Sequence, residues 1–309
     1  MNFKFKIKMG ILMYVIVILT VLFQGCMPMP INNNEKKENF SDYETRKRYV
    51  DAIENSFRND WNIALVDARR YTTHKSEELR RDVYALLWKL GKDSTEQQKR
   101  QNIVEVLLER VPLENDFLRE QLLKWLQDFK EGDFNDRSKT ILQNTRWPKD
   151  DSSSLIRLTG IAQLKSRLPE LKELVRNENA EASTDTWYGK DEWAGLLALA
   201  RMGDVQSLHI VINRVKKESD IVVRATILLK DMAYTKQPAA FDTLKIYLNS
   251  EDRLPSTKET VSGSLEACYA AALFSKYLEN FPIKETDFNE NQVHQARAWV
   301  NAQKQWQFK

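Results

Sequence analysis

The sequence predicts an all-α chain built as an α-solenoid of paired helices, and three observations predict it. Apolar residues recur at helical spacing beyond residue 41: Leu118, Leu122, Trp125 and Phe129; Trp193, Leu196, Leu197 and Ala200; Val205, Leu208, Ile212 and Val215; Ile221, Ala225, Leu228 and Met232. No run of alternating β-branched residues bounded by turns interrupts them, so no sheet is expected. One motif also recurs: LRRDVYALL, LREQLLKWL, IRLTGIAQL, DEWAGLLAL, VRATILLKD and LEACYAAAL. Its second residues are Arg80, Arg119, Arg157, Glu192, Arg224 and Glu266, at steps of 39, 38, 35, 32 and 42 residues. Periods of this size mark helix-pair repeats. One pair cannot bury its apolar face alone, whereas stacked pairs can.

Residues 1–25 have the order of an export signal. Lys4, Lys6 and Lys8 form a positive start, Met9 to Phe23 an apolar run, and Gly25 a small residue before a polar segment. The run is short for a membrane span, which needs about 20 apolar residues. Leu22-Phe23-Gln24-Gly25-Cys26 resembles the lipobox of bacterial lipoproteins. In that family the Cys becomes the lipidated first residue of the mature chain. The resemblance implies lipidation at Cys26 and a lipid-anchored place in the bacterial cell envelope. Met27 stands where an Asp retains some lipoproteins at the inner membrane, so the outer membrane is favoured.

Residues 26–41 read as the lipidated Cys and a flexible tether, rich in Pro, Asn and charge. Residues 42–75 hold two helices that cap the N-terminal end. Residues 76–289 carry the repeats, and residues 290–309 form a C-terminal capping helix with Val293, Ala296 and Val300 on one face and Trp299 and Trp306 nearby. Within the repeats, Gly91, Gly132 and Gly203 stand where helical patterns stop. Asn115, Ser152 and Asp220 precede new patterns and suit N-caps.

The best-formed repeat runs from Asp191 to Asp231. Ala198-Leu199 close its first helix, Gly203-Asp204 form a turn, Leu208 to Val215 a second helix, and Asp220 leads into Val223-Arg224. This pattern resembles HEAT repeats of the short bacterial type. In that family an Arg–Asp ladder links one repeat to the next. Glu192 and Glu266 depart from the basic anchor, so an interrupted ladder is expected. The resemblance implies a fold and not a function, since this fold serves many roles.

The chain carries 47 Lys+Arg and 44 Asp+Glu, a net charge of +3. Removing the signal with its three lysines leaves a formally neutral chain. Such a chain lacks the basic excess that attracts phosphate backbones, and nucleic acid is not an expected partner. With Cys26 acylated, Cys268 has no partner; it lies among apolar residues and reads as a buried structural thiol. His74, His209 and His294 are far apart, and no metal-binding, phosphate-cradling or nucleophile motif is present. No catalytic residue, metal or cofactor is assigned.

Three junctions between repeats are longer than a minimal one: 144–154 (NTRWPKDDSSS), 177–190 (NENAEASTDTWYGK) and 249–263 (NSEDRLPSTKETVSG). Insertions on one face of a solenoid often form its binding face. Trp147, Trp187 and Tyr188 lie in them and are the candidate partner-binding residues, since Trp and Tyr are enriched at interface hot spots. They are expected to be more exposed than Trp125 and Trp193. The expectation is a membrane-anchored envelope lipoprotein that binds another envelope protein as a scaffold or adaptor. A competing reading is an enzyme, or its accessory subunit, acting on envelope polymers or a tetrapyrrole-like ligand, because HEAT-like repeats occur in lyases of that second kind. A third is a structural spacer.

Overall fold

The computed structural model describes residues 40–147, 152–176, 191–255, 264–284 and 288–309. Cys26, Trp187 and Tyr188 lie outside them. The chain divides into two compact units, Met1–Tyr49 and Val50–Lys309. In the first, the start of helix α1 (Tyr43–Asn59) is set by Asp42, whose carboxylate accepts the Thr45 N–H at 2.8 Å. Arg46 donates to the carbonyls of Phe40 and Ser41 at 2.9 Å each.

The described part of the second unit is built of helices joined by turns and loops. Its helices are α2 (Trp61–Tyr71), α3 (Glu77–Asp93), α4 (Gln97–Arg110), α5 (Asp116–Leu126), α6 (Asp136–Asn144), α7 (Ser153–Ile161) and α8 (Leu168–Arg176). Then follow α9 (Asp191–Arg201), α10 (Val205–Lys217), α11, α12 (Pro238–Leu248), α13 (Glu266–Tyr277) and α14 (Glu290–Ala302). Helix α11 joins Ile221–Val223, a π turn over Arg224–Leu228 and Leu229–Tyr234. The only β pairing among the described residues is two isolated bridges, Arg253 with Leu265 and Leu278 with Phe308.

Local chemistry explains where the helices begin. Asp60, Ser76, Asn115, Asn135, Asp204, Asp220 and Asn289 each accept a first-turn N–H with the side chain. Asn115 and Asp220 are thus the caps the sequence implied. Ser152 occupies a cap position without the cap bond; its N–H donates instead to Asp191 Oδ1 at 3.0 Å. A second starting device recurs. The fourth residue of α1, α3, α4, α5 and α11 is Arg (46, 80, 100, 119, 224), and each guanidinium reaches back to a carbonyl five or six residues earlier. Each turn entering these helices is therefore held by a charge-assisted bond.

Packing alternates. Helices α3, α5, α7, α9, α11 and α13 each lie against the next in that series, and α4 lies on α6, α10 on α12 and α12 on α14. Helix α9 is enclosed by α7, α8, α10 and α11, and every residue from Trp193 to Arg201 is buried. Its closest neighbour is α7: a Cβ on Gly160 would stand 2.8 Å from the Ala198 Cα and 2.6 Å from Tyr234 Oη. No described helix is long and apolar enough to cross a membrane. The bent pair α9–α10 passes on apolar composition, which the enclosure of α9 explains.

Ion pairs tie successive pairs together. Arg80 meets Glu114 at 2.8 Å, Arg100 meets Asp133 at 2.8 Å, and Arg224 grips Glu266 at 2.7 and 3.0 Å. Glu266, which stands where Arg80, Arg119, Arg157 and Arg224 stand in the recurring motif, is itself the acid that Arg224 grips, and it is fully buried. Arg157 skips a repeat and bonds Asp231 at 2.6 Å, while Trp193 Nε1 donates to the other Asp231 oxygen at 2.6 Å. Burial works against the Arg157 charge, but Asp231 outweighs it and raises the Arg157 pKa.

Several expectations change. Gly91 lies inside α3 and is there for space, since a Cβ would meet the Phe129 ring at 2.9 Å. Gly132 sits in a 3₁₀ turn, Glu131–Asp133. Val205 is 73% exposed at the start of α10, and the buried stripe runs instead through Ser207, Val211, Ile212 and Val215. Cys268 is half-buried rather than buried, and burial pushes its thiol pKa up.

Candidate functional site

Of the residues singled out from sequence, Trp147 is the one described. It is half-buried, as Trp125 is, whereas Trp193 is 1% exposed. The expected contrast therefore holds against Trp193 and not against Trp125. The Trp147 ring packs on the cluster of Ile156, Leu171, Ala194, Ala198 and Leu199. The Arg167 guanidinium lies 4.9 Å from its centroid. Arg167 is itself fixed, donating to the carbonyls of Leu142, Gln143 and Thr145 at the end of α6. Trp147 Nε1 is buried with no acceptor among the described residues. This is the setting of a packing ring.

A chemically richer region lies where α7, α9 and α11 end. Gln163, Gly203 and Lys236 end α7, α9 and α11 with positive φ of 52°, 94° and 50°. Each stands two residues past the end of its helix. Around Gly203 the bonds are those of a Schellman end: Gly203 N–H to Ala200 O and Asp204 N–H to Leu199 O, both 3.0 Å. Gln163 and Leu164 repeat it on Gly160 and Thr159. The turns are also laced together, because Arg201 O accepts from Gln163 Nε2 at 3.1 Å and from Gln237 Nε2 at 3.2 Å.

These turns line an open cleft of about 330 Å³, with Glu131, Gln163, Arg201, Met202, Gly203, Thr235, Lys236 and Gln237 as its walls. Arg201 is 9% exposed; it donates to the Tyr234 carbonyl and lies 4.9 Å from the Tyr234 ring centroid. Lys236 Nζ donates to the Lys309 main-chain oxygen at 2.5 Å and lies 5.9 Å from the Tyr277 ring centroid. Among the described residues, no Asp or Glu oxygen pairs with either cation. Burial and the neighbouring Arg201 lower the Lys236 ammonium to about 8. Burial raises the phenols of Tyr234 and Tyr277, the latter to about 12.

The C-terminal segment closes one side of this edge. Lys309 N–H donates to Tyr277 O at 2.9 Å, Glu279 N–H to Gln307 O at 2.8 Å, and Lys309 Nζ to Ser275 O at 2.6 Å. The described histidines contribute nothing here: His209 and His294 are exposed, and His74 Nδ1 accepts the Ser76 N–H at 3.0 Å. No group of three His, Cys, Asp or Glu side chains suited to a metal occurs among the described residues.

No protein-family model matches this chain, and no curated protein or solved structure is significantly similar to it.

The candidate residues read from the sequence lie in the junctions between helix pairs, and none lies in these turns, although the sequence carries a signal for them. In the repeat alignment, Lys236 stands where Gly203 stands, although the left-handed backbone favours Gly.

Proposed function

We propose that this chain is an envelope lipoprotein, anchored through a lipidated Cys26, in which a HEAT-like solenoid serves as a scaffold that binds another envelope protein. One observation carries the scaffold reading. The first helices stack in unbroken order, and buried Arg–acid pairs such as Arg80–Glu114 and Arg224–Glu266 connect one pair to the next. Such a stack is rigid and presents the same corner of each repeat along an edge, which is how repeat proteins build extended binding surfaces. Polar groups at its centre are engaged in this architecture, as with Asp231 between Arg157 and Trp193. The anchor reading rests on the Lys4–Lys8 start, the apolar run and Gly25-Cys26, with the outer membrane favoured by Met27. Acylation would hold the chain at the bilayer, each buried CH₂ adding about 0.8 kcal/mol.

The test has two parts. Cys26→Ser should abolish incorporation of labelled fatty acid; labelling that persists in the variant refutes the anchor. For the scaffold, a photo-crosslinking residue is placed along each edge of the full-length chain in its native membrane. Adducts with one protein, clustered on one edge, are expected. Labelling scattered over unrelated proteins, or none on either edge, refutes the scaffold.

A further inference from the structure

We propose that the cavity between the end of α13, the end of α14 and the segment 305–307 is a saccharide-binding subsite, which takes one neutral sugar ring of a glycan against the Trp299 and Trp306 indoles. The site goes beyond the scaffold reading and depends neither on the membrane anchor nor on a protein partner.

Three features point to it. The first is a pair of anchored indoles. Trp299 stands on the last turn of α14 and meets the Phe281 ring edge-on, with centroids 5.2 Å apart. Trp306 lies 5.6 Å from the Phe274 ring centroid, and its Nε1 donates to Asp242 Oδ1 at 2.9 Å. Both rings are half-buried, and both line the cavity. An indole held on one side and wet on the other suits a ligand that is itself apolar on one face and polar at its edges. A pyranose ring is such a ligand, with C–H bonds on its face and hydroxyls around it.

The second is a set of polar side chains that the fold leaves unused. Glu279, Asn280, Gln305 and Gln307 are exposed, and none of their side chains has a hydrogen-bond partner among the described residues. Amides elsewhere are engaged in holding turns: Gln97 and Gln101 both donate to Gly132 O, and Gln163 and Gln237 both donate to Arg201 O. The backbone around the cavity is fixed nonetheless. Glu279 N–H donates to Gln307 O at 2.8 Å, Leu278 bridges to Phe308, and Asn280 turns the chain with φ of 56°. Side chains presented from an ordered backbone lose less freedom when a ligand arrives.

The third is the match between these groups and hydroxyls. A carboxamide offers both donors and an acceptor, and a carboxylate accepts only. A sugar hydroxyl donates and accepts at once, so a ring with several of them can use the whole set. Among the described residues no Lys or Arg lines the cavity, and the Glu279 carboxylate at its wall repels anions. The ligand is therefore neutral rather than a phosphate or a carboxylate. The cavity holds about 110 Å³, below the roughly 300–1,000 Å³ that encloses a whole small-molecule ligand. One ring of a longer chain is what fits.

The experiment uses the full-length chain and two neutral probes, cellotetraose for an unsubstituted ring and chitotetraose for an N-acetylated one, followed by calorimetry and by indole N–H shifts. Gln305→Ala with Gln307→Ala is the main variant, because both side chains are exposed and bond nothing in the fold, so folding is retained. It should weaken binding about tenfold, through the hydrogen bonds lost to the ligand. Asn280→Gly keeps the left-handed turn and should also weaken binding. The indole signals of Trp299 and Trp306 should shift on titration, and those of Trp125 and Trp193 should not. Affinity should stay constant between about 0.05 and 0.5 M salt, since neither probe is charged. Binding of chitotetraose alone assigns an N-acetylated ring, binding of cellotetraose alone an unsubstituted one, and binding of both a contact with the ring they share. No binding of either probe, equal affinity of wild type and the double variant, an affinity that falls with salt, or indole shifts confined to other tryptophans overturns the proposal.

Discussion

Glu266→Ala should be among the most damaging single substitutions in this chain, although the sequence marks Glu266 as an exception to its own repeat. Glu266 is fully buried and accepts Arg224 Nε at 2.7 Å and Nη2 at 3.0 Å. The Arg224 guanidinium keeps a bond to Glu218 O at 2.8 Å and a longer one, 3.4 Å, to Asp252. Truncating Glu266 removes two charge-assisted bonds, each contributing about 1.5–3 kcal/mol, and leaves a cation that is 13% exposed beside a cavity. Breaking one partner of a buried pair costs about 3–5 kcal/mol. Replacing both partners removes the stranded charge, so Arg224→Met with Glu266→Met should cost less than about 1 kcal/mol relative to wild type. Urea unfolding of the two single variants and the double variant gives the coupling energy. Stacked repeats can lose cooperativity, so amide exchange in α11 and α13 should report the loss locally. A cost below about 1 kcal/mol for Glu266→Ala, or a double variant that costs the sum of the singles, would refute the reasoning.

Two further outcomes follow from the geometry. Trp147→Ala should cost about 2–4 kcal/mol in urea unfolding, because its ring packs on the α7–α9 cluster and under Arg167; an unchanged midpoint would mean that the ring is free for a partner. Tyr84→Phe should cost about 0.5–1.5 kcal/mol at neutral pH through the lost bond from Tyr84 to Glu114 at 2.6 Å. Burial works against the Glu114 charge, but Arg80 and Tyr84 outweigh it and hold the carboxyl below its ordinary range. Stability from a lowered carboxyl is present above the unfolded value and lost as pH falls through the folded one. The gap between wild type and Tyr84→Phe should therefore narrow in acid, and urea melts in which it stays constant would refute the linkage.

Much of the fold was legible along the chain because helix formation is local. The caps at Asn115 and Asp220 act within three residues. The stripe Trp193, Leu196, Leu197 and Ala200 follows from helical pitch, and all four are buried. Less legible was anything requiring knowledge of which helix meets which. The sequence placed Val205 on the apolar stripe of α10. Packing buries Ile212 and Val215 of that stripe and adds Val211, while Val205 stands exposed. Gly91 looked like a helix stop until the Phe129 ring stood beside it.

The same division applies to the candidate sites. By itself the sequence determined helix type, caps, repeat period and the motif at Cys26, each set by residues adjacent in the chain. Only the tertiary structure decided that Glu266 completes the Arg224 pair and that Arg157 reaches past α9 to Asp231. It also decided that Arg201 and Lys236, 35 residues apart in sequence, share one cleft. Charges separated by a repeat acquire meaning only when stacking sets their distance and removes water from between them. Coulomb energy depends on that distance and on the local dielectric, and no pattern along a chain encodes either.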